Sequence, residues 1–127
     1  MINQIFSIRG ATTVTENTAE AIAERSVELI KAIADRNGLY EKNGLEATDI
    51  LISTTEDLTA SYPAKAIRES GIVRAPLFSM REPAIDGALS KCIRLMVRVA
   101  NYGERVEPRH VYLHEAAKLR PDLVKNQ

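Results

Sequence analysis

The sequence has few of the residues that build metal and redox sites. Its 127 residues include one cysteine, Cys92, and two histidines, His110 and His114. One cysteine cannot form an internal disulfide, and these three residues cannot complete a structural zinc site. The two histidines, four residues apart, would share one face of a strand, but two ligands without a third make a poor metal site. A metal or redox centre is therefore not expected.

Long apolar runs are also absent. No stretch approaches the length of about 20 residues that spans a bilayer, and the N-terminus lacks the basic and apolar regions of a signal peptide. Gly10 and Gly87 stand alone and match neither the dinucleotide nor the Walker phosphate-binding pattern. The composition, 45% hydrophobic and 27% charged, is that of a folded globule. We expect a single domain over residues 1–127, located in the cytoplasm and without a membrane partner.

The charges balance overall but not along the chain. Basic and acidic residues number 17 each, so no net positive field attracts nucleic acid, and no such partner is expected. Residues 1–63 carry five basic and ten acidic side chains, whereas residues 64–127 carry twelve and seven. Arginine accounts for 11 of the basic residues and suits bidentate binding of carboxylate or phosphate. The second half is a candidate site for a small anion, with arginines solvated on the surface as the simpler interpretation.

The apolar pattern predicts alternating strands and helices. Strands are expected over residues 2–9, 50–53, 72–78 and 110–114. Helices are expected from Asn17 or Thr18 to Asn37, from Pro63 to about Gly71, and from Asp86 to about Asn101. This order predicts an α+β domain with helices packed on one face of a mixed β-sheet. Because four short strands bury little core, self-association is expected as well.

The predicted third helix contains several candidate functional residues. Its apolar stripe consists of Leu89, Ile93, Met96, Val97 and Ala100. Lys91, Arg94 and Arg98 would lie on the opposite face. Cys92 could be paired with a histidine as nucleophile and base, but a lone cysteine beside core positions usually acts as a small hydrophobe. No catalytic base, triad or metal site emerges from the residues alone.

Five segments, taken in order, resemble the monofunctional, trimeric pseudo-α/β-barrel class of chorismate mutases. They are Ile8–Val14, Tyr62–Arg68, Lys91–Arg94, His110–Leu113 and Leu119–Leu123. Each motif alone is weak, but together they cover nearly the whole chain at compatible spacing. The resemblance implies an isomerase that converts chorismate to prephenate in aromatic amino-acid biosynthesis. It implies neither metal nor cofactor, because in this pericyclic Claisen rearrangement no proton moves and no nucleophile attacks.

The same resemblance assigns roles to individual residues. It implies that Arg94 donates to the ether oxygen and a carboxylate, while Glu82 accepts a hydrogen bond from the ring hydroxyl. Arg9 would bind the other carboxylate, with Tyr112 as its hydroxyl partner. The further substrate-binding positions that it implies are Tyr62, Ala64, Lys65, Arg68, Phe78, Ser79, Leu119 and Arg120. The family builds each pocket between two subunits of a homotrimer, so these residues need not come from one chain.

Three positions depart from the family pattern, and two other functions stay open. Ser79 stands where several relatives have cysteine, Phe78 where a smaller polar residue is common, and Tyr62 where phenylalanine is more usual. A serine hydroxyl can make the hydrogen bond of a thiol. The alternatives are a trimeric module that binds a ligand without catalysis and a small deaminase acting on imines. Either would use arginines for a carboxylate, but neither needs Glu82 beside Arg94.

Overall fold

A mixed sheet of five strands organises the chain. The computed structural model describes residues 1–124. Its strands are β1 (Gln4–Thr13), β2 (Leu45–Thr54), β3 (Leu77–Arg81), β4 (Cys92–Asn101) and β5 (Val111–Tyr112), and its helices are α1 (Ala19–Asn37), α2 (Pro63–Ser70) and α3 (Pro121–Val124). The sheet order is β3-β2-β4-β1-β5. Strand β4 is antiparallel to β1 and β2, whereas β3 runs parallel to β2 and β5 runs parallel to β1.

Helices α1 and α2 begin and end where the sequence indicates. The Thr18 hydroxyl caps α1 by accepting from the Ala21 N–H at 3.1 Å, and Gly38 ends the helix at φ 57°. Pro63 is the first residue of α2, and Gly71 follows the helix at φ 65°. No helix in the described part of the chain combines the length and apolarity needed to cross a bilayer.

Both helices pack on the same face of the sheet, as predicted. The core there includes Ile22, Leu29 and Ile33 of α1, Ile67 of α2, and Ile8, Ile50, Ile52 and Val97 of the sheet. Gly10 permits the close approach of α1, because a Cβ at that position would lie 2.6 Å from Ile33 Cδ1. The main core therefore lies between the sheet and these two helices.

The other face of the sheet is called the open face below. Side chains alternate along strands, so this face carries Ile5, Arg9, Leu51, Ser53, Phe78, Met80, Arg94, Met96 and Arg98. Several of its apolar residues are solvent-exposed, Ile5 at 76% and Phe78 at 63%. Within residues 1–124, no helix covers these residues as α1 and α2 cover the first face.

The prediction of a helix from Asp86 to Asn101 is wrong, because residues 92–101 form β4. The stripe of Ile93, Met96, Val97 and Ala100 fits a helix, but the same segment also alternates strictly, with Ile93, Leu95, Val97 and Val99 all buried. Isoleucine and valine favour strands. Pairing with β1 on one side and β2 on the other satisfies both backbone edges and decides the outcome.

Other strand boundaries also differ from the prediction. The strand expected over residues 72–78 begins only at Leu77, after Pro76, whose missing N–H disfavours pairing within a strand. The segment 50–53 is the end of a ten-residue strand that starts at Leu45. The strand expected over residues 110–114 is limited to Val111–Tyr112. The sheet thus has five strands rather than four.

Candidate active site

The open face holds a cavity of about 530 Å³. It is lined by Arg9, Gly10, Ala11, Leu51, Ser53, Met80, Arg94, Leu95, Met96, Tyr112, Leu119 and Arg120. Three of these side chains are arginines, and the apolar ones come mainly from β2, β3 and β4. A cavity with this lining can hold a small anion against an apolar floor.

Arg94, Glu82 and Ser53 form one connected cluster beside this cavity. The Arg94 Nε lies 3.2 Å from Glu82 Oε1, and the Ser53 hydroxyl donates a hydrogen bond to the same oxygen. The Arg94 side chain is 45% exposed and that of Glu82 is 21% exposed. Nε is the guanidinium nitrogen of Arg94 nearest to this carboxylate. No hydrogen bond between the two side chains is found among residues 1–124, so Glu82 does not engage the terminal nitrogens of Arg94 through hydrogen bonds.

Three adjacent strands position this cluster. Ser53 of β2 pairs with Arg94 of β4 on one side and with Met80 of β3 on the other. Glu82 follows β3 directly, and its N–H donates to the Thr54 carbonyl at 2.8 Å. The acid, the hydroxyl and the guanidinium therefore lie on three neighbouring strands, at positions fixed by the register.

Arg9 and Tyr112 reach the cavity from β1 and β5. Their strands are joined by the pairing of Ala11 with Tyr112 and by the Arg9 N–H, which donates to His110 Nδ1 at 2.9 Å. Burial, followed by the charges of Arg9 and Arg120, lowers the pKa of His110 from its ordinary value of 6.5. His110 is consequently the neutral imidazole that this hydrogen bond requires. Through this hydrogen bond its side chain links β5 to β1.

The C-terminal segment adds Leu119 and Arg120 to the cavity wall. Arg120 forms a bidentate pair with Asp122, at 3.1 Å from Nε and 2.8 Å from Nη2. The hydrogen bonds that Arg120 donates to Asp122 raise the pKa of Arg120, and Tyr112 contributes to the same shift. Within residues 1–124, the Arg9 guanidinium pairs with no carboxylate. Of the three arginines that line the cavity, Arg9 is thus the one without a carboxylate partner among the described residues.

Two side chains that follow β2 hold the start of β4 through hydrogen bonds. The Asp57 carboxylate accepts the Lys91 N–H at 2.9 Å, and the Thr55 hydroxyl accepts the Cys92 N–H at 2.9 Å. Partial burial acts to raise the pKa of Asp57, but the hydrogen bonds that its carboxylate accepts from the Thr55 hydroxyl and the Lys91 N–H lower that pKa overall. Burial raises the pKa of the Cys92 thiol. Cys92 therefore stays a protonated, buried thiol, in agreement with its interpretation as a small hydrophobe.

The remaining predicted residues lie elsewhere. Tyr62, Lys65 and Ser79 line a second cavity, of about 640 Å³, between β3 and the segment that leads into α2. Ser79 pairs with Ile52 and so lies on the helix side of the sheet. Two further residues belong to α2: Arg68 is exposed and Ala64 packs against the core. Phe78 lies on the open face but does not line the first cavity.

The structure thus divides the predicted residues into two groups. Arg9, Arg94, Tyr112, Leu119 and Arg120 share the first cavity, with Glu82 beside it. Tyr62, Lys65 and Ser79 share the second. Met80 of the edge strand β3 lines both cavities. No single cavity found in residues 1–124 contains both groups.

Seven residues of the cavity lining were not predicted from the sequence as site residues. They are Gly10, Ala11, Leu51, Ser53, Met80, Leu95 and Met96. The alternation of Leu51 and Ser53 in β2 could have placed both on one face. Met96 was assigned to the apolar side of a helix, and only the strand register brings it to the cavity floor. His114, in turn, lies 2.7 Å from Glu28 of α1 and does not face the same site as His110.

Comparison with known proteins adds independent evidence. Residues 5–123 match the family described as chorismate mutase type I. Chorismate mutase AroH of Thermus thermophilus is 42% identical over 123 residues, which cover 97% of this chain and 99% of that protein. Chorismate mutase AroH of Bacillus subtilis (strain 168) is 41% identical over 120 residues, which cover 94% and 92%.

A solved structure agrees with these sequence matches. The chorismate mutase from Clostridium thermocellum superposes with a TM-score of 0.79 at 39% identity, covering 89% of this chain and 98% of that one. The mixed sheet with helices on one face is therefore the fold that the resemblance implied. By family match, sequence identity and fold, the chain belongs to the type I chorismate mutases.

Proposed function

We propose that this protein converts chorismate to prephenate at sites formed between neighbouring subunits of a homotrimer, as a cytoplasmic enzyme of aromatic amino-acid biosynthesis. The family relationship supports the reaction. The observation that carries the proposal is the placement of Arg9 and Arg94 on one cavity, with the Glu82 carboxylate against Arg94. A site for a simple carboxylate would need the arginines but not Glu82.

The chemistry fits such a site. In the rearrangement an ether C–O bond breaks while a C–C bond forms within one molecule, and no proton is transferred. The enzyme must hold a flexible dianion in a compact conformation and place positive charge where the ether oxygen gains electron density. Guanidinium groups fixed on a sheet provide that charge without reorganising during the reaction.

The individual roles are those that the family resemblance implies, and the positions of the residues support them. Arg94, on the central strand β4, would donate its terminal nitrogens to the ether oxygen and to one carboxylate. Arg9, which lacks a carboxylate partner in residues 1–124, would bind the other carboxylate beside Tyr112. Glu82 would accept the hydrogen bond of the ring hydroxyl. Leu119 and Arg120 would close the C-terminal side of the bound substrate.

The two separate groups of residues support a shared site. Tyr62, Ala64, Lys65, Arg68 and Ser79 lie at α2 and on the helix side of β3, away from the open face. A neighbouring subunit that placed its α2 over the open face would bring its Lys65 and Arg68 to the cavity. It would also cover exposed apolar residues such as Ile5 and Phe78, which a closed ring of subunits would bury.

The direct test is turnover of chorismate by the purified protein. Loss of chorismate absorbance, with NMR identification of the product, should show formation of prephenate at an unchanged rate in excess EDTA. Arg94→Ala is the matched control and should be nearly inactive. Retention of chorismate without conversion would point to a binding module, and hydrolysis of a 2-iminocarboxylate in place of chorismate turnover would point to a deaminase. Either result would refute the proposal.

A further inference from the structure

The carboxylate of Glu82 is held in an unusual way. Both of its contacts fall on Oε1, one from the Ser53 hydroxyl and one from Arg94 Nε at 3.2 Å. None of the contacts found within residues 1–124 uses Oε2. The ion pair, whose nearest contact is to Oε1 alone, is called monodentate below. Within residues 1–124 it lacks the two parallel hydrogen bonds that a guanidinium and a carboxylate side by side favour.

A second ion pair on the same strand and face provides the comparison. Arg98, four residues further along β4, binds Asp49 through two hydrogen bonds of 2.8 Å, from Nε to Oδ1 and from Nη2 to Oδ2. No hydroxyl among the described residues donates to the Asp49 carboxylate. The nearby Thr48 hydroxyl donates instead to the carbonyl of Arg98, at 3.3 Å. The pair that lacks a hydroxyl partner is bidentate, and the pair that has one is not.

We propose that Ser53 is a positioning residue that keeps Glu82 from closing into a bidentate pair with Arg94. The Ser53 hydroxyl binds Oε1 of Glu82 from β2. Strand β2 lies between β4, which carries Arg94, and β3, which leads directly into Glu82. Oε2 is then left for a ring hydroxyl, and the Arg94 terminal nitrogens are left for the reacting oxygen and a carboxylate. Without Ser53, Glu82 and Arg94 would neutralise each other, and substrate would have to break that pair.

The position of Ser53 makes this role possible. Ser53 pairs with Arg94 of β4 on one side and with Met80 of β3 on the other. Its hydroxyl therefore lies on the open face, on a strand that is paired along both of its edges. The backbone of Glu82 is fixed through Thr54. With both backbones fixed, the serine hydroxyl determines which oxygen of the carboxylate faces the arginine.

The consequence for substrate rests on the proposed function, whereas the geometry of the pair does not. The experiment therefore combines crystal structures of Ser53→Ala and Ser53→Thr with their kcat/KM values. The substrates are chorismate and an analogue in which hydrogen replaces the ring hydroxyl. The matched control is Ser7→Ala, which removes the hydroxyl of another serine on the open face, in β1.

In Ser53→Ala we expect a second contact, from an Arg94 terminal nitrogen to Glu82 Oε2, and a loss of about tenfold in kcat/KM for chorismate. The loss should be smaller for the analogue, because the contact between Oε2 and the hydroxyl is absent there. Ser53→Thr keeps a hydroxyl and should retain the monodentate pair and the activity. Ser7→Ala should behave as wild type.

Two results would overturn the inference. One is a monodentate Glu82–Arg94 pair in the Ser53→Ala structure. The other is an equal loss for both substrates, which would indicate a merely structural role. If the wild-type protein failed to convert chorismate, the proposed function would be wrong, while the crystal structures would still decide whether Ser53 sets the geometry of the pair.

Discussion

At the scale of single residues, Arg94 is the residue that we expect to bear most directly on rate. Its Nε is fixed by Glu82, and its side chain lines the cavity from the central strand of the sheet. As the C–O bond breaks, negative charge collects on the ether oxygen, so a cationic donor there binds the transition state more strongly than the substrate. Lysine would keep the charge but not the fork that serves Glu82, the ether oxygen and a carboxylate together.

We therefore expect Arg94→Lys to be nearly as inactive as Arg94→Ala. The value of kcat should fall by a factor on the order of 10²–10³, and KM should change less. Steady-state kinetics with chorismate measure both. Arg98→Lys, on the same strand and face, is the control and should stay within about twofold of wild type. If Arg94→Lys retained more than about a tenth of the wild-type kcat, Arg94 would serve in binding rather than catalysis.

Some of the site residues can be predicted from the sequence alone, and others cannot. Arg9, Arg94 and Tyr112 stand in segments that resemble a known family, and the structure brings them to one cavity. Ser53 could not be found in this way. Its significance depends on the register that sets it between Glu82 and Arg94, and that register is a tertiary property.

At the scale of elements, β4 shows why pattern alone was insufficient. Ile93, Met96 and Val97 satisfy the helical period, and Ile93, Leu95 and Val97 satisfy the strand period equally well. The neighbouring strands decide between helix and strand, because residues 92–101 pair with β1 on one side and with β2 on the other. Helix α1 had no such competitor, since Thr18 and Gly38 mark both of its ends.

Strand β5 depends on few contacts, and His110 supplies one of them. The strand has two residues, and it is joined to β1 by the Leu113 N–H, which donates to the Ala11 carbonyl at 2.9 Å, and by the Arg9 N–H on His110 Nδ1. Protonation of His110 would remove the acceptor and place a further positive charge near Arg9 and Arg120. The attachment of β5, which carries Tyr112, is thus sensitive to acid.

The pH dependence of stability follows from the lowered pKa of His110. The unfolded chain takes up this proton near the ordinary value of 6.5, whereas the folded chain takes it up only at lower pH. His110 therefore contributes stability above pH 6.5 that is lost as pH falls below it. We expect Tm to decline over this range in wild type. The decline should be smaller in His110→Asn, whose amide oxygen can accept from Arg9 without titrating. Equal declines in both proteins would show that other groups are responsible.

At the scale of the whole molecule, one chain is incomplete in two respects. Its open face leaves Ile5, Phe78 and Met80 exposed. Most of its predicted binding residues also divide between two cavities that meet at edge strand β3, where Met80 lines both. A ring in which the α2 of each subunit lies over the open face of the next would answer both needs. The sequence predicted self-association from the small core, but only the structure shows which residues each chain would contribute.

The central claim is that a working site needs the open face of one chain and α2 of another, and mixing two inactive variants tests it most directly. Arg94→Ala removes one arginine of the open face, and the double variant Lys65→Ala/Arg68→Ala removes both cations of α2. Each alone should be nearly inactive. Co-expressed with different tags in equal amounts and isolated as mixed trimers, they should recover about a third of wild-type activity, because one of the three interfaces in each mixed trimer joins two intact halves. Activity no higher than the average of the two variants would contradict a shared site.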